Sequence, residues 1–108
     1  MNDLVAANAD LVDNFNKAWN ALCDARDDYF AASTARNSLP AAPNRFSKNP
    51  DLHADARAAA QAAVDSAWAA SQAAGALLRA ADDSLRAVGL IAITQRMGDR
   101  SGVQFFQD

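Results

Sequence analysis

Apolar residues in the first third of the chain recur at the spacing of an α-helix. No glycine or proline occurs between Asp3 and Arg36. At 100° per residue, the apolar side chains of this segment fall into one arc about 140° wide, opposite the polar ones. The pattern predicts a single amphipathic helix over residues 3–36. The arc consists of Leu4, Leu11, Val12, Phe15, Ala18, Trp19, Leu22, Cys23, Tyr29 and Phe30.

A polar segment that contains prolines then interrupts the helical period. Residues 37–49 include Pro40 and Pro43 among several turn-forming residues. This predicted loop is longer than the roughly 2–8 residues that usually connect helices. At its end, Asn49 can cap a helix, and Pro50 suits the first helical position. A second helical segment is therefore predicted to begin at residue 50.

The second segment is predicted to continue from about residue 50 to 97, where Gly98 can supply a left-handed stop. A helix of this length would measure about 72 Å and would extend beyond the first helix. We therefore expect a break near Gly75 or Asp82, or packing of the overhang in a dimer. The small and apolar residues of this segment stay on the same side of the helix before and after Gly75, which favours a continuous helix or a mild kink. A stripe of small and apolar residues defines the buried face: Ala60, Ala63, Ala67, Ala70, Ala74, Leu77, Ala81, Leu85 and Val88.

The predicted fold class is all-α, because no segment shows the apolar–polar alternation of a strand. Residues 1–108 are expected to form one domain, an antiparallel hairpin or bundle of two to three helices with a long Pro-containing loop. The short tail, residues 98–108, carries Phe105 and Phe106, which we expect to dock on the core. Six residues of the first helix are expected to pack against the Ala60–Val88 stripe: Leu11, Phe15, Trp19, Leu22, Tyr29 and Phe30.

Composition narrows the class of protein further. The chain has 108 residues and a net charge of −3, and every one of its 13 acidic residues is Asp. This charge disfavours direct binding to nucleic acid or to an anionic membrane, and no apolar run reaches the roughly 20 residues of a membrane span. The N-terminus does not resemble a signal peptide, and Cys23 has no cysteine to pair with. A cytoplasmic, soluble protein is expected.

No arrangement of reactive residues predicts catalysis. His53 is the single histidine, and it follows the predicted loop, whereas Cys23 lies on the apolar arc of the other helix. These two residues do not match a nucleophile with its base, or the ligand spacing of a zinc or di-iron site. The four glycines form no phosphate-binding loop. The sequence therefore predicts no enzyme activity, no metal and no cofactor.

Two residues stand out from the predicted packing. Arg26 lies within the apolar arc, where a buried guanidinium would need an acid such as Asp65, Asp82 or Asp83; alternatively, it reaches solvent or faces a partner. Trp68 projects about 100° away from the Ala60–Val88 stripe. Trp is enriched at interaction hot spots, so Trp68 is a candidate for partner binding unless a further element covers it.

Five aspartates on the polar side of the first helix form a further candidate surface, which we call the acidic stripe. Exposed charges contribute little to stability, and Asp is a poor helix former. The stripe is therefore either a solvated face or an electrostatic contact for a basic protein partner. It consists of Asp10, Asp13, Asp24, Asp27 and Asp28.

In length, sign of charge, helicity and lack of catalytic residues, the chain resembles small phage-borne anti-CRISPR proteins that act on type I (Cascade) systems. The resemblance covers the whole chain and involves no shared motif. It implies a non-enzymatic inhibitor in the host cytoplasm, which blocks a bacterial defence complex or its nuclease by binding a basic, nucleic-acid-processing protein. The alternative is a structural or regulatory helical module that self-associates through its second segment. Monomer and homodimer both remain open.

Overall fold

The computed structural model describes residues 2–98 and 100–108. Met1 and Asp99, which belong to the predicted domain 1–108 and tail 98–108, lie outside the described residues. Two long antiparallel helices are followed by an antiparallel β-hairpin, in a molecule of 71 × 23 × 17 Å. The fold is mixed α and β, so the predicted all-α class is wrong. The elements are α1 (Asn2–Ala7), α2 (Ala9–Asn37), α3 (Ala54–Ala87), β1 (Leu90–Met97) and β2 (Arg100–Gln107).

The β-hairpin replaces the last turns of the predicted second helix and the predicted tail. Ile91, Ile93 and Thr94 are β-branched and therefore favour a strand over a helix. Strand β1 pairs with β2 along its whole length, in a register that runs from Leu90 opposite Gln107 to the turn. The sequence prediction missed these strands because the apolar residues of β1 also continue the period of the preceding helix.

Two glycines with positive φ separate helix, strand and turn. Gly89 has a φ of +87° and follows the last residues of α3, where a left-handed residue ends a helix favourably. Gly98 has a φ of +59° at the turn between β1 and β2, as the favoured two-residue hairpin turns require. The predicted helix stop at Gly98 is therefore wrong, and Gly89 ends the helix instead.

Helix α3 begins and ends at other residues than predicted, but it is continuous. It starts at Ala54 rather than at Pro50, and no side chain caps its first turn. The Asp51 carboxylate accepts a hydrogen bond from the backbone of His53 at 3.3 Å, just before the helix. The helix passes through Gly75 and Asp82 without the break that one of the predicted alternatives placed there. Its 34 residues correspond to a length of about 51 Å.

The predicted first helix is divided at Asn8 into α1 and α2. Asn8 has φ −120° and ψ 34°, and its side-chain amide donates to the carbonyl of Leu4 at 2.9 Å. This local side-chain hydrogen bond competes with the helical backbone pattern. Helix α2 ends at Asn37, where both the backbone and the hydroxyl of Ser38 donate to the carbonyl of Thr34. The helix predicted over residues 3–36 is thus two helices separated by Asn8.

The connection between the long helices spans residues 38–53 and is exposed except at Leu39. Arg57 in the first turn of α3 contacts this connection near both of its ends. Its guanidinium donates to the carbonyl of Pro40 at 2.9 Å and pairs with Asp51. Two apolar side chains of the loop, Phe46 and Leu52, are exposed. The predicted loop, 37–49, is therefore four residues too short at its C-terminal end.

The core lies between the N-terminal half of α2, the C-terminal half of α3 and the β-hairpin. Leu85 and Leu90 are fully buried, and Phe15 packs edge-to-face on Phe105 with ring centroids 5.9 Å apart. Successive strand residues point to opposite faces, so Phe105 faces the core whereas Phe106 is 39% exposed. The prediction that the Phe pair docks on the core is confirmed for Phe105 and wrong for Phe106.

The predicted buried stripe of α3 is confirmed at five positions, Ala60, Ala67, Ala74, Ala81 and Leu85, but the buried face is rotated away from the other four. Leu77 is 64% exposed and Val88 is also exposed, whereas Val64 is buried. The predicted burial of Phe15, Trp19 and Leu22 is confirmed; Leu11 and Tyr29 are half-buried, and Phe30 is exposed. A row of buried and half-buried positions on α3 has alternating spacings of four and three, as in a coiled coil. They are Ala60, Val64, Ala67, Ser71, Ala74, Leu78, Ala81 and Leu85.

Candidate functional site

Three aromatic side chains form an exposed cluster on the paired helices beyond the β-hairpin. The rings of Tyr29 and Trp68 are 5.3 Å apart, and those of Tyr29 and Phe30 are 6.0 Å apart. Trp68 is 51% exposed and Phe30 is 66% exposed. We call Tyr29, Phe30 and Trp68 the aromatic cluster. Large apolar side chains grouped on a surface in this way are typical of interaction sites.

The short β-hairpin explains why this cluster is uncovered. Arg96, near the end of β1, reaches the carbonyl of Cys23 and the carboxylate of Asp27, so the hairpin ends level with these residues of α2. Phe30 lies one helical turn beyond Asp27 on the side that the hairpin covers elsewhere. The apolar arc of α2 therefore continues past the element that buries its first half.

Part of the acidic stripe lies at the same level along α2 as the aromatic cluster. All five aspartates are exposed. Asp24, Asp27 and Asp28 lie within about two helical turns of Phe30, whereas Asp13 is about 26 Å from Phe30 along the helix axis. Asp10 lies farther still. The residues that sequence reasoning selected as one stripe therefore divide into a group level with the aromatic cluster and a separate N-terminal pair. Within the first group, Asp27 is about 60° from Phe30 around α2, whereas Asp24 and Asp28 are about 120° and 160° away.

Asp27 has a structural contact as well. The Arg96 guanidinium pairs with the carboxylate of Asp27 and donates to the carbonyl of Cys23 at 3.3 Å. The hydrogen bond with Asp27 raises the pKa of Arg96 above its ordinary value. This contact ties the end of the β-hairpin to α2. Sequence reasoning missed it because Arg96 was assigned to a helix, where it would have no defined position relative to Asp27.

Arg26 lies on the same open side, so of the predicted alternatives the exposed position holds and the buried ion pair does not. Its side chain is exposed, and within residues 2–98 and 100–108 it forms no ion pair with Asp65, Asp82 or Asp83. Arg26 precedes Phe30 by four residues, which places the two on one face of α2. The open side of α2 therefore presents Arg26 and Phe30, with the half-buried Tyr29 next to them.

The residues considered for chemistry lie apart. His53 is exposed immediately before α3, and Cys23 is buried within α2. In the part of the chain that the structure describes, no three His, Cys or Asp side chains come together as a metal site. None of the described helices is long and apolar enough to cross a membrane.

Comparison with known proteins gives no assignment for this fold. No family model matches the chain, and neither the curated proteins nor the solved structures contain a match.

Proposed function

We propose that this protein binds a basic protein partner through the aromatic cluster, with Asp24, Asp27 and Asp28 of the same segment of α2 attracting the partner, and that it inhibits the partner by occupying its surface. The observation that supports this proposal most directly is the exposure of Trp68 and Phe30, within about two helical turns of three exposed carboxylates on α2. Trp is the residue type most enriched among interface hot spots. An aromatic anchor on a helix that also carries exposed carboxylates is complementary to an apolar pocket on a basic surface.

The resemblance to type I anti-CRISPR proteins supplies the class of partner in this proposal. A surveillance complex or its nuclease carries positively charged surfaces for nucleic acid, and a chain with a net charge of −3 is attracted to such surfaces. Blocking by binding needs no catalytic residue, metal or cofactor in the inhibitor. A small protein that covers one functional surface is sufficient.

The direct test is phage plating on a bacterium whose type I CRISPR–Cas system targets that phage. Expression of the chain is expected to restore plaque formation, and the purified chain is expected to bind the surveillance complex or the nuclease. Trp68→Ala and Phe30→Ala should each weaken that binding by about 30-fold or more, as loss of a hot-spot side chain does. Both side chains are largely exposed, so the variants should remain folded.

Leu77→Ala is the matched control, because Leu77 is 64% exposed and lines a different groove with Lys17 and Ala80. It should bind as the unaltered chain does. Unchanged plating would contradict the proposed class of partner. Equal binding by the Trp68→Ala and Leu77→Ala variants would show that the aromatic cluster is not the contact surface.

The carboxylates of Asp24 and Asp28 should act mainly on the association rate. Replacing Asp24 and Asp28 by Asn is expected to slow association with the partner several-fold at low salt. The effect should fade as the screening length falls below about 8 Å. Asp27 is kept, because it holds Arg96. Stopped-flow or surface-binding kinetics over a salt series measure the effect, and the melting temperature should stay nearly constant.

Asp10→Asn with Asp13→Asn removes the same charge at the far end of α2 and serves as the control. It should slow association less than Asp24→Asn with Asp28→Asn. Equal effects of the two double variants would indicate a general effect of net charge rather than a local contact.

A further inference from the structure

Strand β1 has an unpaired edge whose orientation follows from the ladder. The backbone of Asp108 donates to the carbonyl of Gly89 at 2.8 Å, which continues the β1–β2 register by one pair. Hydrogen-bonded and non-hydrogen-bonded pairs alternate along an antiparallel ladder. The residues at every second position from Leu90, including Ala92 and Thr94, therefore direct their backbone N–H and C=O groups away from β2.

The free edge of β1 borders a groove of about 480 Å³ between β1 and α3. Phe15 and Leu78 line its apolar part, together with Ala92 and Thr94 on the strand side. On the α3 side, Asp82 pairs with Arg86 at 3.0 Å. Arg79 and Asp83 also line the groove, and neither has an ion-pair partner within residues 2–98 and 100–108.

We propose that β1 pairs with β1 of a second copy of this chain, in an antiparallel arrangement centred on Ile93. Ala92 and Thr94 of each copy then hydrogen-bond across the interface, and the two-stranded sheet becomes a four-stranded one. A two-stranded sheet is marginally stable alone, and open strand edges promote pairing with a further strand. The new neighbours on the outer face, Ile93 of the two copies, form a β-branched cross-strand pair.

The charges along the groove fit a second copy in particular. A two-fold axis through the groove exchanges its two ends, so Arg79 of one copy approaches Asp83 of the other, and the contact occurs twice. The edge of β2 does not offer such paired opposite charges. Strand β2 packs on α2, whose exposed side carries the acidic stripe, and a two-fold axis there would bring like charges together. Charge complementarity therefore selects the β1 edge for self-association.

Sedimentation equilibrium of the full chain tests this proposal. The dimer is independent of the proposed function, because it uses the edge of β1 and not the aromatic cluster. The unaltered chain is expected to reach twice the monomer mass of 11.4 kDa at micromolar concentration. Thr94→Pro removes one N–H from the free edge of β1 without removing a β1–β2 hydrogen bond, and it should abolish the dimer. Ser101→Pro makes the equivalent change on the free edge of β2 and should leave the dimer intact.

Charge reversal supplies a second test that does not depend on proline being tolerated. Arg79→Asp or Asp83→Arg should each raise the dimer dissociation constant by about tenfold, because two attractive contacts become repulsive. The double variant should restore dimerisation, since both contacts are then complementary again. A monomer at all concentrations, or a dimer that Ser101→Pro dissociates and Thr94→Pro does not, would overturn the proposal. Failure of the double variant to restore the dimer would likewise overturn it.

Discussion

Replacement of Phe15 by alanine is expected to lower the free energy of unfolding by about 3–5 kcal/mol. Phe15 is 2% exposed and packs edge-to-face on Phe105 at 5.9 Å, so it joins α2 to the β-hairpin. Its removal leaves a cavity where three elements meet, and the hairpin has few other large side chains with which to fill it. Domains of this kind are stable by roughly 5–15 kcal/mol in total, so the loss is a large fraction of the whole.

Phe30→Ala is the matched control, because Phe30 belongs to the same predicted apolar arc but is 66% exposed. Its cost should stay within about 0.5 kcal/mol. Urea unfolding followed by circular dichroism compares the variants at one fixed protein concentration, since the dimer proposed above would make apparent stability depend on concentration. Equal losses for Phe15→Ala and Phe30→Ala would show that the hairpin does not cover the first half of α2.

Leu85→Ala is expected to cost about 2–5 kcal/mol. Leu85 is fully buried where α3 meets α2 and the β-hairpin. Alanine is at least as good a helix former as leucine, so the loss reports packing rather than helix propensity. The same substitution at Leu77, which is 64% exposed, should change stability by less than about 0.5 kcal/mol.

Leu77 and Leu85 both belong to the predicted Ala60–Val88 stripe, so this pair tests the rotation of α3. Chemical unfolding of the two variants gives the comparison directly. A loss for Leu77→Ala as large as that for Leu85→Ala would mean that α3 presents the predicted stripe to α2, with Leu77 rather than Leu78 in the contact.

The sequence is informative about the helices because their signals are local. Helical periodicity and abundant alanine predict α2 and most of α3, and the prolines after residue 39 predict the loop between them. The ends are less predictable. Asn8 interrupts the first helix through a side-chain hydrogen bond to Leu4, and a helical wheel drawn over the whole segment contains no such competition.

The β-hairpin was predictable in part from Gly98-Asp99 between two eight-residue runs, since this dipeptide at that spacing is a hairpin signal. Gly89 was the second signal, because a glycine directly after a helical period commonly ends a helix. Both signals were outweighed by the apolar residues of β1, which suit either a helix or a strand. Short apolar segments are ambiguous in this way because periodicity over eight residues does not separate the two states.

The residues of the candidate surface were partly predictable from sequence, because Trp68 and the acidic stripe both depart from what packing or helix formation requires. Their grouping was not. Tyr29 and Phe30 share an arc with Phe15 and Trp19, and a wheel diagram assigns all four the same burial. The length of the β-hairpin alone separates them, because it covers α2 as far as Asp27 and leaves the next turn open.

Local sequence thus decides where the helices and the loop lie, because helix propensity, proline geometry and apolar spacing act within a few turns. Tertiary structure decides which part of each apolar face is buried. Helix α2 packs against both α3 and the β-hairpin. The face of α3 that is buried carries Val64 and Leu78, and it is rotated from the predicted face. The position of Arg96 on Asp27, the exposure of Phe30 and the free edge of β1 all follow from where the hairpin returns along the helices. Contacts between residues about 70 positions apart in the chain determine that path, and no local pattern records them.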